Sequence, residues 1–402
     1  MPLSGELVRA RGTNGLSQDD LANALGVSRA MVSYWESGKR VPNDRQLSAL
    51  SQLLRVPLGV LLGHEEPAPA PDIAMMMLRG ADQDVPDEAL RGLGDFVSFL
   101  DTFARLADET NVSVRGLTQS PFKSSAGYEG AEDARRKAEE VRAHLRLGLG
   151  PVGDMDAVCE LLGVTVYRAN LGSDLTRTVS GAFLNHSELG LAILVNLDMT
   201  PGRRRFTVAH ELAHALFHSD DNPYLVSTAA KSPRERFADA FAGEFLMPIE
   251  GARRVMEEQG FGPRINDAAE VIYLQRYFDV SYITALVRLR QAKFITQSQF
   301  DGYKRVRPVA LARSLGFDIA EEECSSQPEK WRLERFPQRF LRLVREAVRK
   351  EIVSVPTAAA LTQLSLDEIF DLVNEGFMTA DQGTEELAEL REFEVTGVIG
   401  PT

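Results

Sequence analysis

The chain has 402 residues, 44% of them apolar and 26% charged, with a formal net charge of −13 at pH 7. That length allows roughly two to four domains, and the acidic balance argues against general coating of nucleic acid. No run of eighteen apolar residues occurs, and the start, Met1-Pro-Leu-Ser-Gly-Glu6, has no cationic segment leading into an apolar one. Neither a membrane span nor a secretory signal is therefore expected. Cys159 and Cys324 are the only cysteines, and neither belongs to a C-x-x-C pair. Reduced, buried thiols in a cytoplasmic protein are the expectation.

Residues 1–64 are predicted as five short helices, over 5–11, 17–25, 28–35, 44–54 and 58–62. Ser17 and Ser28 stand as N-caps, and Gly26 makes the turn between the second and third helices. Leu21, Ala22, Leu25, Val27, Val32 and Trp35 would form a small core. Charge is unevenly spread: seven cations against five carboxylates make this segment +2 and leave −15 for the remainder. A DNA contact, if the chain makes one, belongs here. The carriers Leu16-Ser-Gln18-x-x-Leu21-Ala22-x-x-Leu25-Gly26-Val27-Ser28, then Val32-Ser33-x-Trp35-Glu36-x-Gly38-Lys39 and Pro42, resemble the helix-turn-helix module of the lambda-repressor/XRE type. That resemblance implies binding to an operator in double-stranded DNA, with the second helix of the pair in the major groove. It places Ser28 among the DNA-contacting residues at the helix start and Arg29, Ala30, Ser33 and Tyr34 toward bases. It gives Gln18 a bracing role and makes Lys39 and Arg40 phosphate contacts. A protein-interaction domain of the same fold is the alternative.

Residues 65–71 form a linker, stiffened by the alternation of proline with alanine from Pro67 to Pro71. Met75 to Met77 are apolar enough to dock on something. Leu90, Leu93, Phe96, Phe99 and Phe103 repeat at helical spacing over 87–106. This amphipathic helix either packs on the rest of the chain or forms a homodimer. A polar loop is expected over 116–130, then a charged helix over 131–147, a short helix over 155–162, and strands near 164–168, 179–184 and 191–196. An edge strand here could take up an extended peptide by strand addition. Arg203 to Arg205 sit at the wrong end of the next helix to favour its dipole. They are expected to pair with carboxylates, with a grip on an acidic substrate as the alternative.

That next helix carries Phe206-Thr-Val-Ala-His210-Glu211-Leu-Ala-His214-Ala-Leu-Phe-His218. His210 and His214 are four residues apart, so they stack on one helix face and can share one zinc ion. Glu211 lies between them in sequence and can take a proton from water in the same cleft: the H-E-x-x-H arrangement of zinc hydrolases. Zinc needs a third protein ligand and an open position. The following helix, through Phe237, Ala238, Phe241, Ala242, Phe245 and Leu246, offers Glu235 as that ligand. Asp239, one turn on, would accept from a ligating imidazole and fix its tautomer. Glu244 and His218 are the rival ligands. The Cα of His218 lies about 12 Å along the axis from that of His210, too far for an unbroken helix to bring all three histidines to one ion. A supporting or structural place suits His218 better. Tyr224 and His218 are candidates for a donor to a developing oxyanion.

Together, Arg203-Arg-Arg-Phe206-Thr-Val-Ala-His210-Glu211-Leu-Ala-His214, Glu235-x-x-Ala238-Asp239-x-Phe241-Ala242 and Leu246-Met247-Pro248 resemble the ImmA/IrrE family of zinc metallopeptidases, over about 131–289. The upstream Ser180-Gly181-Ala182-Phe183 and Ala192-Ile-Leu-Val-Asn196 agree with it. The resemblance implies a gluzincin-like site, with His210, His214 and Glu235 on zinc and Glu211 as base. It also implies protein substrates such as repressors or antitoxins. A domain that senses a ligand or partner without turnover is the alternative. Helices near 250–259, 265–278 and 281–292 would complete that fold. The tail, through Phe336-Pro-Gln-Arg-Phe340 and Thr357 to Leu372, is helical and suited to protein contact. The expected architecture is α+β and predominantly helical: a helix-turn-helix domain over 1–64, linker and helix over 65–130, a peptidase-like domain with a small sheet over 131–295, and a helical region over 296–402.

Overall fold

Among the described residues, hydroxyl and carboxylate side chains cap many helix starts, and glycines or left-handed residues set several of the ends. The computed structural model describes residues 3–13, 16–43, 46–47, 49–50, 54, 86–114, 116, 120–122, 130–172, 179–219, 224–227, 232–319, 333–362 and 364–374. The predicted helix over 58–62, the linker over 65–71, Met75 to Met77, Cys324 and the tail beyond residue 374 lie outside the described residues. The chain forms two compact units, one of residues 1–67 with 341–402 and one of residues 68–340.

In the first unit, α1 (Leu3–Thr13), α2 (Gln18–Leu25) and α3 (Arg29–Glu36) enclose a small core. Ser17 and Asp20 form a reciprocal capping box, satisfying two backbone donors at the start of α2. Gly26 ends that helix at φ 63°, a left-handed turn that a side chain would strain. Ser28 caps α3 by accepting from the Met31 amide. Leu21, Ala22, Val32 and Trp35 are buried together with Leu7, Ala10, Leu50 and Leu54, while Leu25 and Val27 are half-buried against them. Leu7 and Ala10 join the core because α1 packs against α3, a contact between segments that periodicity does not register. Two further helices, α15 (Val355–Thr362) and α16 (Leu366–Asn374), bury Ala358, Ala359, Thr362, Leu364 and Ile369. Ser365 and Glu368 cap the second of them reciprocally.

The second unit is built on a four-stranded sheet of order β1-β3-β2-β4, from β1 (Thr165–Ala169), β2 (Gly181–His186), β3 (Gly190–Asn196) and β4 (Tyr224–Ser227). β1 runs parallel to β3, and the other pairs are antiparallel. Every residue of β3 is buried, which explains its unbroken apolar run: both faces of the sheet are covered. Val166, Phe183, Leu191, Ile193 and Val195 pack into a large core with Val208, Ala209 and Leu212 of α7 (Pro201–Phe217). On the other face, α4 (Asp87–Thr110) stacks Phe99 on Tyr167 at 4.5 Å and Phe96 on it at 6.0 Å. Phe336 and Phe340 close that aromatic group. The amphipathic helix thus packs on the sheet. Gly92 marks the closest approach, since a Cβ there would lie 2.2 Å from Leu171.

The unit also contains α5 (Ala131–His144), α6 (Met155–Leu161), α8 (Pro233–Leu246), α9 (Ile249–Glu258), α10 (Ala268–Phe278), α11 (Tyr282–Gln291), α12 (Gln297–Tyr303) and α13 (Pro308–Ser314). Helix α14 (Gln338–Arg349) straddles the division, with Gln338 to Phe340 in this unit and the rest in the first. Phe217 of α7 packs edge-on against Phe237 and Phe241 of α8, holding those two helices side by side. Arg142 of α5 is buried, and its guanidinium satisfies the carbonyls of Gly148, Gly150 and Phe245. Burial pushes its pKa down to about 10. The fold is α+β and mostly helical, and no helix among the described residues is long and apolar enough to cross a membrane.

Candidate functional site

α7 starts at Pro201 after Thr200 and runs unbroken to Phe217. His210 and His214 therefore stand one turn apart, rings edge-to-face at 4.9 Å, with their Nε2 atoms 3.2 Å from each other. α8 starts at Pro233 under a Ser232 cap that accepts from the Glu235 amide. The cap fixes the first turn of α8, and the contact with α7 turns that end toward the two rings. Glu235 Oε2 lies 3.1 Å from His210 Nε2, and Oε1 lies 3.4 Å from His214 Nε2. These three ligand atoms all fall within 4.8 Å of one another. Zinc–nitrogen and zinc–oxygen distances of about 2.0–2.1 Å with tetrahedral angles put ligand atoms about 3.3 Å apart. The spacing and the donor set, two imidazoles and one carboxylate, fit that ion.

The other ring nitrogens are also engaged. His210 Nδ1 is 3.0 Å from Asp239 Oδ1, and His214 Nδ1 is 2.9 Å from His218 Nδ1. Burial alone would push His210 down, but hydrogen bonds to Asp239 and Glu235 and the charge of Glu211 drive its pKa up to about 10. Burial would raise Glu235, but its bonds to His210 and His214 hold it down to about 2. The carboxylates thus demand positive charge between them, which a proton or a divalent cation would satisfy alike. Burial lowers His214, and it takes His218 down to about 3. Phe183 of β2 stacks on His214 at 6.3 Å, and Phe237 meets His218 at 5.2 Å. The group is therefore walled by apolar rings, with His214 and Glu211 fully buried and Asp239 alone well exposed.

Glu211 lies against the start of β2. A Cβ on Gly181 would stand 2.6 Å from Glu211 Oε1 and 2.7 Å from the Leu194 carbonyl oxygen. Only glycine leaves room there for the carboxyl. Sequence shows the glycine at a strand start, but nothing local tells that a carboxylate from another element lies on it. β2 is also not the sheet edge beside this group, since β4 pairs along it. The backbone of Tyr224 belongs to β4, and its side chain lies outside the described residues.

Glu244, the rival ligand, points elsewhere. It is 2% exposed, bonds Arg288 Nη2, lies 3.3 Å from Arg135 Nε and accepts from the Ile249 amide. It joins α5, α8, α9 and α11. His218, the other rival, ends α7 as its cap and spends Nδ1 on His214. It is outside the set of three ligand atoms that converge, and its Nδ1 is not free to meet an oxyanion. Two of the arginines at the start of α7 are also committed within the fold. Arg205 meets Asp279 at 3.1 Å and the Gly153 carbonyl at 2.8 Å, and Arg204 is buried, with Nη1 3.9 Å from Glu334. Pairing with a carboxylate rather than gripping a substrate describes both.

On α3, Arg29, Ala30, Ser33 and Tyr34 are exposed on one face, followed by exposed Lys39 and Arg40. Arg29 comes within 3.7 Å of Asp19, but both side chains are more than 60% exposed, so that pair holds it only weakly. Gln18 is turned inward, where its amide donates to Glu36 at 2.7 Å. Arg11 grips the same carboxylate at 2.5 Å. Glu36 thus ties α1, α2 and α3 together, a role its place at the end of α3 did not announce.

Comparison with known proteins finds two matches to family models. Residues 159–290 match the IrrE N-terminal-like domain of the M78 peptidase family, and residues 7–61 match a helix-turn-helix model. Two curated relatives match the N-terminal part. The HTH-type transcriptional activator BcrR of Enterococcus faecalis is 39% identical over 66 residues, 16% of this chain and 32% of that protein. The HTH-type transcriptional regulator DicA of Escherichia coli (strain K12) is 39% identical over 71 residues, 17% of this chain and 53% of that protein. The chain thus spans from about a third to about half the length of these relatives.

Proposed function

Because the chain joins an XRE-type helix-turn-helix domain to an IrrE-like domain of a metallopeptidase family, we propose that it is a DNA-binding transcriptional regulator carrying a zinc-dependent endopeptidase that cuts a regulatory partner protein. The observation that carries this reading is the convergence of His210 Nε2, His214 Nε2 and the Glu235 carboxylate at zinc-ligand spacing, with Glu211 in the same helix turn. His210, His214 and Glu235 would hold the ion. When bound, zinc supplies Lewis acidity that polarises a peptide carbonyl and makes nearby water more acidic.

This chain's own groups do the rest. Asp239 orients His210, so that its Nε2 lone pair faces the cleft. Glu211 accepts the proton of the attacking water and hands it to the departing amine nitrogen, so the peptide C–N bond breaks without a free amide anion. Phe183 and the seating of Glu211 against Gly181 keep bulk water away from that proton. The partner would belong to the repressor or antitoxin class that ImmA/IrrE-like peptidases address. The exposed face of α3, with Arg29, Ala30, Ser33 and Tyr34, would enter the major groove, while Lys39 and Arg40 meet phosphates.

The test combines metal analysis with proteolysis. Purified chain should hold stoichiometric zinc, lose it on His210→Ala and retain it on Glu211→Gln. The zinc-loaded wild type should cut a repressor or antitoxin that Glu211→Gln leaves intact. Equal cleavage by both proteins would rule out Glu211 as base. Zinc retention with no cleavage by the wild type would favour the non-catalytic sensor.

A further inference from the structure

The ring of His218 has no place in the chemistry above, yet it is 5% exposed and its Nδ1 lies 2.9 Å from the Nδ1 of a proposed zinc ligand. Two imidazole nitrogens can hydrogen-bond only when one carries the hydrogen and the other a lone pair. His214 must keep the lone pair on Nε2, the atom that faces His210 Nε2 at 3.2 Å and Glu235 Oε1 at 3.4 Å. Its hydrogen is then on Nδ1, and His218 Nδ1 is the acceptor. The α-helical four-residue step that separates His210 from His214 also separates His214 from His218, so one helix carries both the ligands and the support of the second one.

We propose that His218 is the positioning residue of His214, its Nδ1 accepting the His214 Nδ1–H so that the Nε2 lone pair stays aimed at the metal. This rests on the zinc reading of His210, His214 and Glu235. The two ligands are then supported unequally. His210 leans on Asp239, a carboxylate whose side chain is 63% exposed. His214 leans on a neutral imidazole inside the protein, wedged against Phe237. The local elements fix that ring: His218 closes α7 through its amide to the His214 carbonyl at 2.9 Å, and Phe237 of α8 blocks rotation from the side.

The geometry makes a distinction that volume does not. Asparagine carries a carbonyl oxygen at the same bond distance from Cα as Nδ1. Glutamine places its polar atoms one bond further, near the position of Nε2, and is closer to histidine in size. If His218 only fills space, glutamine should replace it better. If its Nδ1 is the acceptor, asparagine should.

The experiment measures zinc affinity of the full chain by competition with a chromophoric chelator, beside the thermal midpoint of the metal-free protein. His218→Asn should hold zinc nearly as tightly as wild type. His218→Gln and His218→Leu should bind about 10–100-fold more weakly, the usual loss when a ligand's outer partner is removed. Wild-type affinity in His218→Gln, or affinity in the order glutamine above asparagine, would overturn the proposal. Should His218→Leu fail to fold, the asparagine–glutamine order still decides. A wild-type chain that binds no zinc would sink the zinc reading itself. Zinc that is lost on His210→Ala but untouched by all three His218 variants would sink only the positioning role.

Discussion

Glu244→Gln changes one atom and almost no volume, yet it should be among the more damaging substitutions in the second unit. Both carboxylate oxygens of Glu244 face donors: Oε1 accepts from the Ile249 amide at 3.1 Å, and Oε2 receives Arg288 and Arg135. Glutamine has one oxygen and one NH2, so in either orientation a donor meets a donor. Arg288 is 4% exposed and would keep its charge with no carboxylate beside it. Breaking a buried pair by removing one partner costs about 3–5 kcal/mol. Arg288 retains the Met247 carbonyl at 3.2 Å and Gln291 at 2.9 Å, which places the loss near the lower end, about 3 kcal/mol. With a urea slope of about 3 kcal/mol per M, the unfolding midpoint falls by about 1 M. Urea titration followed by circular dichroism reads this, and metal analysis of the folded variant should show zinc undiminished. A midpoint equal to that of wild type would refute the account of the buried pair. An unchanged midpoint with zinc lost would mean that Glu244 is a ligand after all. Glu235→Gln should differ in losing metal affinity, and because its carboxylate is bonded to His210 and His214 in the metal-free chain, the metal-free midpoint should fall as well.

Two more outcomes follow from the same geometry. Gly181→Ala places a methyl 2.7 Å from the Leu194 carbonyl oxygen, held by the β2–β3 pairing, and 2.6 Å from Glu211 Oε1. It should lower stability by about 1–3 kcal/mol and displace Glu211. Cleavage of a partner should then fall far more than zinc affinity, and equal losses of the two would show that Glu211 had not moved. Arg29→Ala should weaken binding to the chain's own promoter DNA by about 1–3 kcal/mol if the guanidinium reads a base, whereas Lys39→Ala should chiefly flatten the salt dependence. A titration in which Arg29→Ala binds like wild type would remove α3 from the groove.

Local chemistry carried much of the reading. Ser17 and Ser28 act on amides within three residues of themselves, so their caps are visible in the chain. The spacing of His210 and His214 is likewise a property of one helix. The α3 face is set by the helical period alone, which leaves Arg29, Ala30, Ser33 and Tyr34 outside and Val32 and Trp35 inside. The match of 159–290 to the IrrE-like model and of 7–61 to the helix-turn-helix model falls where those patterns lie.

Tertiary structure alone chose among groups that look alike in one dimension. Glu235 and Glu244 are both carboxylates on α8, nine residues apart, and no periodicity says which one meets His210 and which one meets Arg288. The partner of α4 and the carboxyl seated on Gly181 are decided in the same way, by packing of segments far apart in sequence. Helical spacing and capping depend on neighbours a few residues away and so survive in the bare sequence. Which side chain reaches which partner depends on how helices and strands dock, and that orientation is set by the whole buried surface at once.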